Sequence, residues 1–124
     1  MHARLKLAIT VLGVFFFLQG VAWLVDPTRV AAGLGMPLLD GLARSTQVGD
    51  LASFFMVAGA TMVLGAQPGR AALLYVPAAL VGGAAVTRTL AWLFQGADFA
   101  FLFIAVEIVV GATLVTGARR LDAL

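Results

Sequence analysis

Apolar residues in this chain neither alternate with polar ones nor form a one-sided helical stripe. They fill four whole stretches, with the polar residues gathered between them. The first runs about Leu7 to Val25 and holds no charge. The others run about Thr46 to Ala66, Ala71 to Phe94 and Phe99 to Ala118, and each holds one charged residue: Asp50, Arg88 and Glu107. Continuous apolarity over roughly 20 residues fits a helix crossing a hydrocarbon layer of about 30 Å. The pattern predicts an all-α, antiparallel four-helix transmembrane bundle forming a single integral membrane domain over residues 1–124. An ionised side chain at the centre of such a helix costs about 2.5–3.5 kcal/mol, against a gain of about 0.3–0.6 for each Leu, Ile, Phe or Val. The three charges are affordable in these segments, but they would be expected to have a use.

His2, Arg4 and Lys6 ahead of the first stretch resemble the start of a signal peptide. The stretch continues through Trp23, beyond the usual h-region of about 7–15 residues, and no small-x-small cleavage site follows, so a retained helix is expected. The only long connection is the link 26–45. Asp26-Pro27 reads as a helix N-cap followed by Pro at the first position. Gly33 and Gly35 are expected to end that short helix, and Pro37 to open another turn. Val30, Leu34, Met36, Leu38, Leu39 and Leu42 give the link an apolar side, which suits a segment lying in the membrane interface as a connector or as a lid. Gln67-Pro68-Gly69 and Gln95-Gly96-Ala97-Asp98 are tight turns, and short turns join antiparallel neighbours.

Composition narrows the partners. The chain has 124 residues, 62% hydrophobic, with 8 Lys+Arg and 6 Asp+Glu. A soluble domain of this length carries about 30 charges, so a water-exposed surface cannot be built here and the lipid bilayer is the expected surroundings. The net charge of +2 is dispersed, which disfavours nucleic acid as a partner. Without cysteine there is no thiolate chemistry or sulfur-ligated metal. His2 has no neighbouring ligands, and no motif implies a cofactor. The preference for Arg over Lys and the wealth of Ala, Gly and Val suit a GC-rich bacterial genome, hence an inner membrane. Arg4, Lys6, Arg70, Arg119 and Arg120 fall on one side, with only Arg29 and Arg44 on the other. The excess of positive charge predicts that both termini are cytoplasmic, with Trp23 and Trp92 near the outer interface.

Depth groups the isolated polar residues. With a rise of about 1.5 Å per residue, Gln19 lies about 9 Å below the outer end of its segment, Asp50 about 6 Å, Arg88 about 9 Å and Glu107 about 12 Å. One polar residue from each segment thus falls in the outer half, facing inward because lipid disfavours ionised groups. Arg88 is the natural centre, since its fork can hold a carboxylate bidentately and does not lose its proton. Asp50 and Glu107 could both approach it, with Arg44 offsetting the excess negative charge and Gln47, Ser53, Thr87 and Thr89 as nearby hydrogen-bonding groups. Such a cluster either fixes helix register or binds a ligand or ion. Ala78-Gly82 and Ala79-Gly83 are small-residue pairs that permit close helix approach, within the bundle or between copies in a homo-oligomer or larger membrane complex. Phe15, Phe16 and Phe17 read as lipid-facing bulk.

The landmarks together resemble a family of small bacterial four-helix membrane proteins of unassigned activity, domain of unknown function 4345. They are Pro27, Gly33-Leu34-Gly35, Arg44 ahead of Gly49, Gly59, Arg70, Gly82-Gly83, Arg88, Gln95-Gly96 and Glu107, spanning about Leu12 to Arg120. In that family a second glycine follows the first near the start of the second long helix; here Asp50 stands in its place, so a role for it is not implied by the resemblance. The DoxX-like group, four-helix proteins often tied to redox partners, is a more distant resemblance. Neither supplies a catalytic residue. The first functional reading is a binding or accessory protein whose outward-half polar pocket takes a small hydrophobic or cationic ligand. The alternatives are a proton- or ion-coupled oligomeric transporter, disfavoured because nothing polar lines the inner half, and a quinone-linked redox subunit or other membrane enzyme, for which no nucleophile or cofactor ligand is evident.

Overall fold

The computed structural model describes residues 2–121; Met1 and residues 122–124 of the expected domain lie outside the described residues. All regular structure within them is helical: α1 (His2–Val25), α2 (Pro27–Gly33), α3 (Gly41–Gly65), α4 (Tyr75–Phe94), entered through a 3-10 turn at Ala71–Leu74, and α5 (Phe101–Arg120). α1, α3, the stretch Ala71–Phe94 and α5 are long and apolar enough to cross a membrane.

The apolar stretches underestimate the helices at their charged ends. α1 begins at His2, not near Leu7, and α5 ends at Arg120, two residues past the expected stop. Arg and Lys are good helix formers, so charge marks the edge of an apolar span without ending the helix. α3 begins at Gly41, five residues before Thr46. There the Arg44 side chain folds back over the first turn, with Nε donating to the Leu39 carbonyl at 2.6 Å and Nη2 meeting Asp40 Oδ1 at 3.1 Å.

The link is correspondingly shorter and more ordered than a 20-residue interfacial connector. α2 closes in a Schellman motif: the Gly35 N–H donates to the Ala32 carbonyl and the Met36 N–H to that of Ala31, while Gly35 takes φ 78°. Apart from Asp26, only Met36–Asp40 of the link lies outside helix or turn. The 3-10 entry to α4 has a local cause: Pro77 lacks an N–H to give the Leu73 carbonyl, and its ring crowds that turn.

Two helix pairs account for the packing. In the α1–α3 pair the backbones almost touch. A methyl group built on Gly13 would lie 2.8 Å from the Gly59 carbonyl oxygen, and one on Gly20 would lie 2.8 Å from that of Ala52. The glycines of α1 are seven residues apart, which keeps them on one face. α4 and α5 form the second pair. The pairs join at the end that carries His2, the 66–70 turn and Arg120, here called the near end. Its core comprises Ile9, Met62, Leu74 and Leu114, all fully buried, with Val81 and Val110. A separate cluster at the far end, around Trp23, Ala31 and Ala52, draws only on α1, α2 and α3 and their connection. Residues of α4 after Val81 and of α5 before Val110 belong to neither cluster. Within that far half Ala85 and Ile104 are buried, at 7% and 8% exposure, and the Arg88 and Glu107 side chains are 35% and 15% exposed.

One expected placement changes, that of Phe16, and two become more specific. Gly82 and Gly83 meet nothing within 4 Å of an added Cβ, so they do not provide a close approach inside the chain; Gly13, Gly20 and Gly59 do. Phe16 points inward, packing on the near-end core and lying 5.6 Å from the Phe55 ring, whereas Phe15 and Phe17 are exposed. Trp23 is fully buried under α2, and its Nε1 has no acceptor among the described residues; Trp92 is exposed, edge-on to Phe99 at 4.9 Å.

Candidate functional site

Arg88 and Glu107 stand equally far from the middle of the Gln95–Ala100 turn, so the hairpin brings them level. Both lie on the stripes that form the core nearer the turn at 66–70: Ala78, Val81, Ala85 and Arg88 on α4, and Glu107, Val110 and Leu114 on α5. The guanidinium Nε lies 3.1 Å from both carboxylate oxygens, donating its hydrogen bond to Oε2 and facing Oε1 only as an ion-pair partner. The contact is thus a one-nitrogen contact to a two-oxygen group, where the sequence suggests a fork. The guanidinium also lies over the Phe103 ring, with Cζ 4.8 Å from the ring centroid.

The two partners differ in access. The Glu107 side chain is 15% exposed and its Oε1 is buried, without a hydrogen bond; the Arg88 side chain is 35% exposed. Among the described residues neither Nη group of Arg88 has an acceptor, and neither is buried. The pair thus shows its donors and hides its acceptors. Thr87 and Thr89, expected as possible partners, give their hydroxyl hydrogens to carbonyls of their own helix, at Gly83 and Ala85.

The other residues of the expected layer are not joined to this pair. Asp50 is exposed on α3, one turn from Phe54, beside an open groove of about 620 Å³ that is lined by Met36, Leu39, Thr46 and Gln47 among others. Because α3 starts early, Asp50 lies about 14 Å from its first residue, not 6 Å. Gln19 is half-buried on α1 and makes no hydrogen bond among the described residues. Arg44 is spent on Asp40 and Leu39, so it does not offset the charge of Asp50. Ser53 is exposed.

Gln47 has a larger part than its sequence context suggests. It is the buried polar side chain of the described residues, 7% exposed. Its Oε1 accepts from the Leu39 N–H at 2.9 Å, and its Nε2 donates to the Pro37 carbonyl at 3.0 Å. Both groups of the amide are satisfied by the strap Met36–Asp40, which is pinned onto α3. The signal lies in the sequence only as a Pro ten residues before a polar position. No group of three or more His, Cys, Asp or Glu among the described residues could hold a metal ion.

No family model, curated protein or solved structure matches this chain. The site must be interpreted from its own geometry.

Proposed function

We propose that this chain is an integral membrane protein, an antiparallel four-helix bundle with both termini in the cytoplasm, that binds a small hydrophobic molecule in its outer half. The bilayer is its surroundings. The four long apolar helices support insertion, and the order of contacts, Gly13 with Gly59 but Gly20 with Ala52, supports opposite directions for α1 and α3. With the near end cytoplasmic, the far end faces outward. The resemblance to the four-helix family of unassigned activity is part of the same proposal.

The observation that carries the binding reading is the Arg88–Glu107 pair, in which the Arg88 side chain is 35% exposed and both Nη groups lack an acceptor among the described residues. A pair serving only to fix helix register has no use for donors left without acceptors; a ligand site does. The closed, apolar near-end core, with Ile9, Met62, Leu74 and Leu114 fully buried, supports a binding or accessory protein over a carrier, which needs a polar path through that half. Ala79 and Gly83, exposed on α4, are where a second copy or a larger membrane complex would approach.

Cysteine accessibility tests the reading. Asp50→Cys and Thr89→Cys, each introduced into this cysteine-free chain, are expected to react with a membrane-impermeant thiol reagent applied from outside, and Gly111→Cys to stay protected. Protection of Thr89→Cys, next to Arg88, in folded protein overturns the pocket, whereas Asp50→Cys reports on the separate groove beside α3.

A further inference from the structure

Whatever occupies the outer-half site must suit the chemistry the pair leaves open. Arg88 and Glu107 are opposite charges in contact, so the site is neutral before any ligand arrives. A guanidinium has five N–H donors; here Nε is spent on Glu107, and the Nη groups, which carry the other four, have no acceptor among the described residues. On the carboxylate, Oε2 is taken and Oε1 is buried behind Nε. A cationic ligand would have to share Oε2 with Nε and lie beside the like charge of the guanidinium. An anionic ligand would compete with Glu107 and leave the site with an uncompensated negative charge in a medium where unpaired charge is very costly. A neutral acceptor does neither.

We infer that the ligand is a neutral amphiphile whose carbonyl-type oxygen accepts hydrogen bonds from the Nη groups of Arg88. This inference rests on the binding function proposed above and names the ligand class for the same site. Two contacts hold the guanidinium in place: Nε with the Glu107 carboxylate, and Cζ over the Phe103 ring. Trp92, one turn after Arg88 on α4, and Phe99, just ahead of α5, meet edge to face at 4.9 Å on the far-end side of the pair. A chain or ring joined to the carbonyl can lie along those rings.

The test uses the full chain in lipid nanodiscs with 2-undecanone labelled with ¹³C at its carbonyl, and with undecane, decylamine and decanoate as comparison probes. Hydrogen bonding to a guanidinium withdraws density from the carbonyl, so its resonance is expected to move downfield saturably. In Arg88→Met/Glu107→Met, which removes both charges together and spares the fold an unpaired one, the shift is expected to vanish and binding to weaken about tenfold or more. An unmoved resonance, or one that moves equally in the double variant, overturns the inference. So does decylamine or decanoate protecting Thr89→Cys from the thiol reagent better than the ketone does, an outcome that leaves the pocket standing with a different ligand class. If Thr89→Cys is unreactive without any probe, it is the binding reading that fails.

Discussion

Gln47 and Arg88 show how one side chain acquires its meaning from what reaches it. Both are polar groups in apolar helices. Gln47 finds a donor and an acceptor on the backbone of the strap, so its amide is fully used and holds structure. Arg88 finds one partner for one nitrogen, so its remaining donors are free to meet something else. The difference predicts opposite sensitivities. Gln47→Leu keeps the volume but strands the Leu39 N–H and the Pro37 carbonyl, at a cost of about 1–3 kcal/mol. The strap should then be cut more readily between Pro37 and Asp40 by a protease added from the outer side. Unchanged cleavage would mean that the strap is held by other contacts. Gln47 was legible in the sequence only as one of several polar neighbours, because its partners are backbone groups of a connection whose path the sequence does not specify. Arg88 and Glu107 were easier: a tight turn places residues equally distant from it at the same level, whatever else the chain does.

At the scale of elements, the glycines divide by what faces them. Lipid is as apolar as a leucine side chain, so helices in a bilayer associate through close packing and not through exclusion of water. Gly13 and Gly59 meet at a separation no Cβ would allow, while Gly83 stands in the open. Gly59→Ala should therefore destabilise the α1–α3 pair by about 1–3 kcal/mol through overpacking. Gly83→Ala should stabilise α4 by about 0.5–1 kcal/mol through lower conformational entropy of the unfolded helix. Thermal unfolding in detergent compares the two, and equal effects of one sign would contradict the packing described. The small-residue pairs around Gly82 and Gly83 stood out in the sequence because they are close together. The contact-making glycines were overlooked because Gly13 and Gly20 are seven apart on one helix and Gly59 lies on another. Spacing along one helix identifies a smooth face; only the neighbour decides whether it is covered.

Over the whole molecule, charge and packing are distributed unevenly between the two ends. Arg4, Lys6, Arg70, Arg119 and Arg120 belong to the near end, where the two helix pairs join; Arg29 and Arg44 belong to the other. In the proposed bundle a reporter active only outside the cytoplasm should be silent when fused after Leu121 and active when placed within 36–41. The reverse pattern would invert the orientation and put the site on the cytoplasmic side. The number and rough extent of the long helices, and the shared level of Arg88 and Glu107 across their turn, followed from the sequence alone. Apolarity adds up residue by residue along a segment, and helical rise converts position into depth. The ends of α1, α3 and α5 and the path of the link did not follow, since charged residues continue a helix as readily as they flank one. Tertiary structure alone decided which of the polar residues meet. Glu107 reaches Arg88 across a tight hairpin, while Asp50, on a helix of the other pair, remains exposed on α3 without a hydrogen bond or ion pair to them. Contact depends on the relative rotation and spread of separate helices, and those are set by side-chain and backbone fit between segments distant in the chain, with Gly13 lying against Gly59.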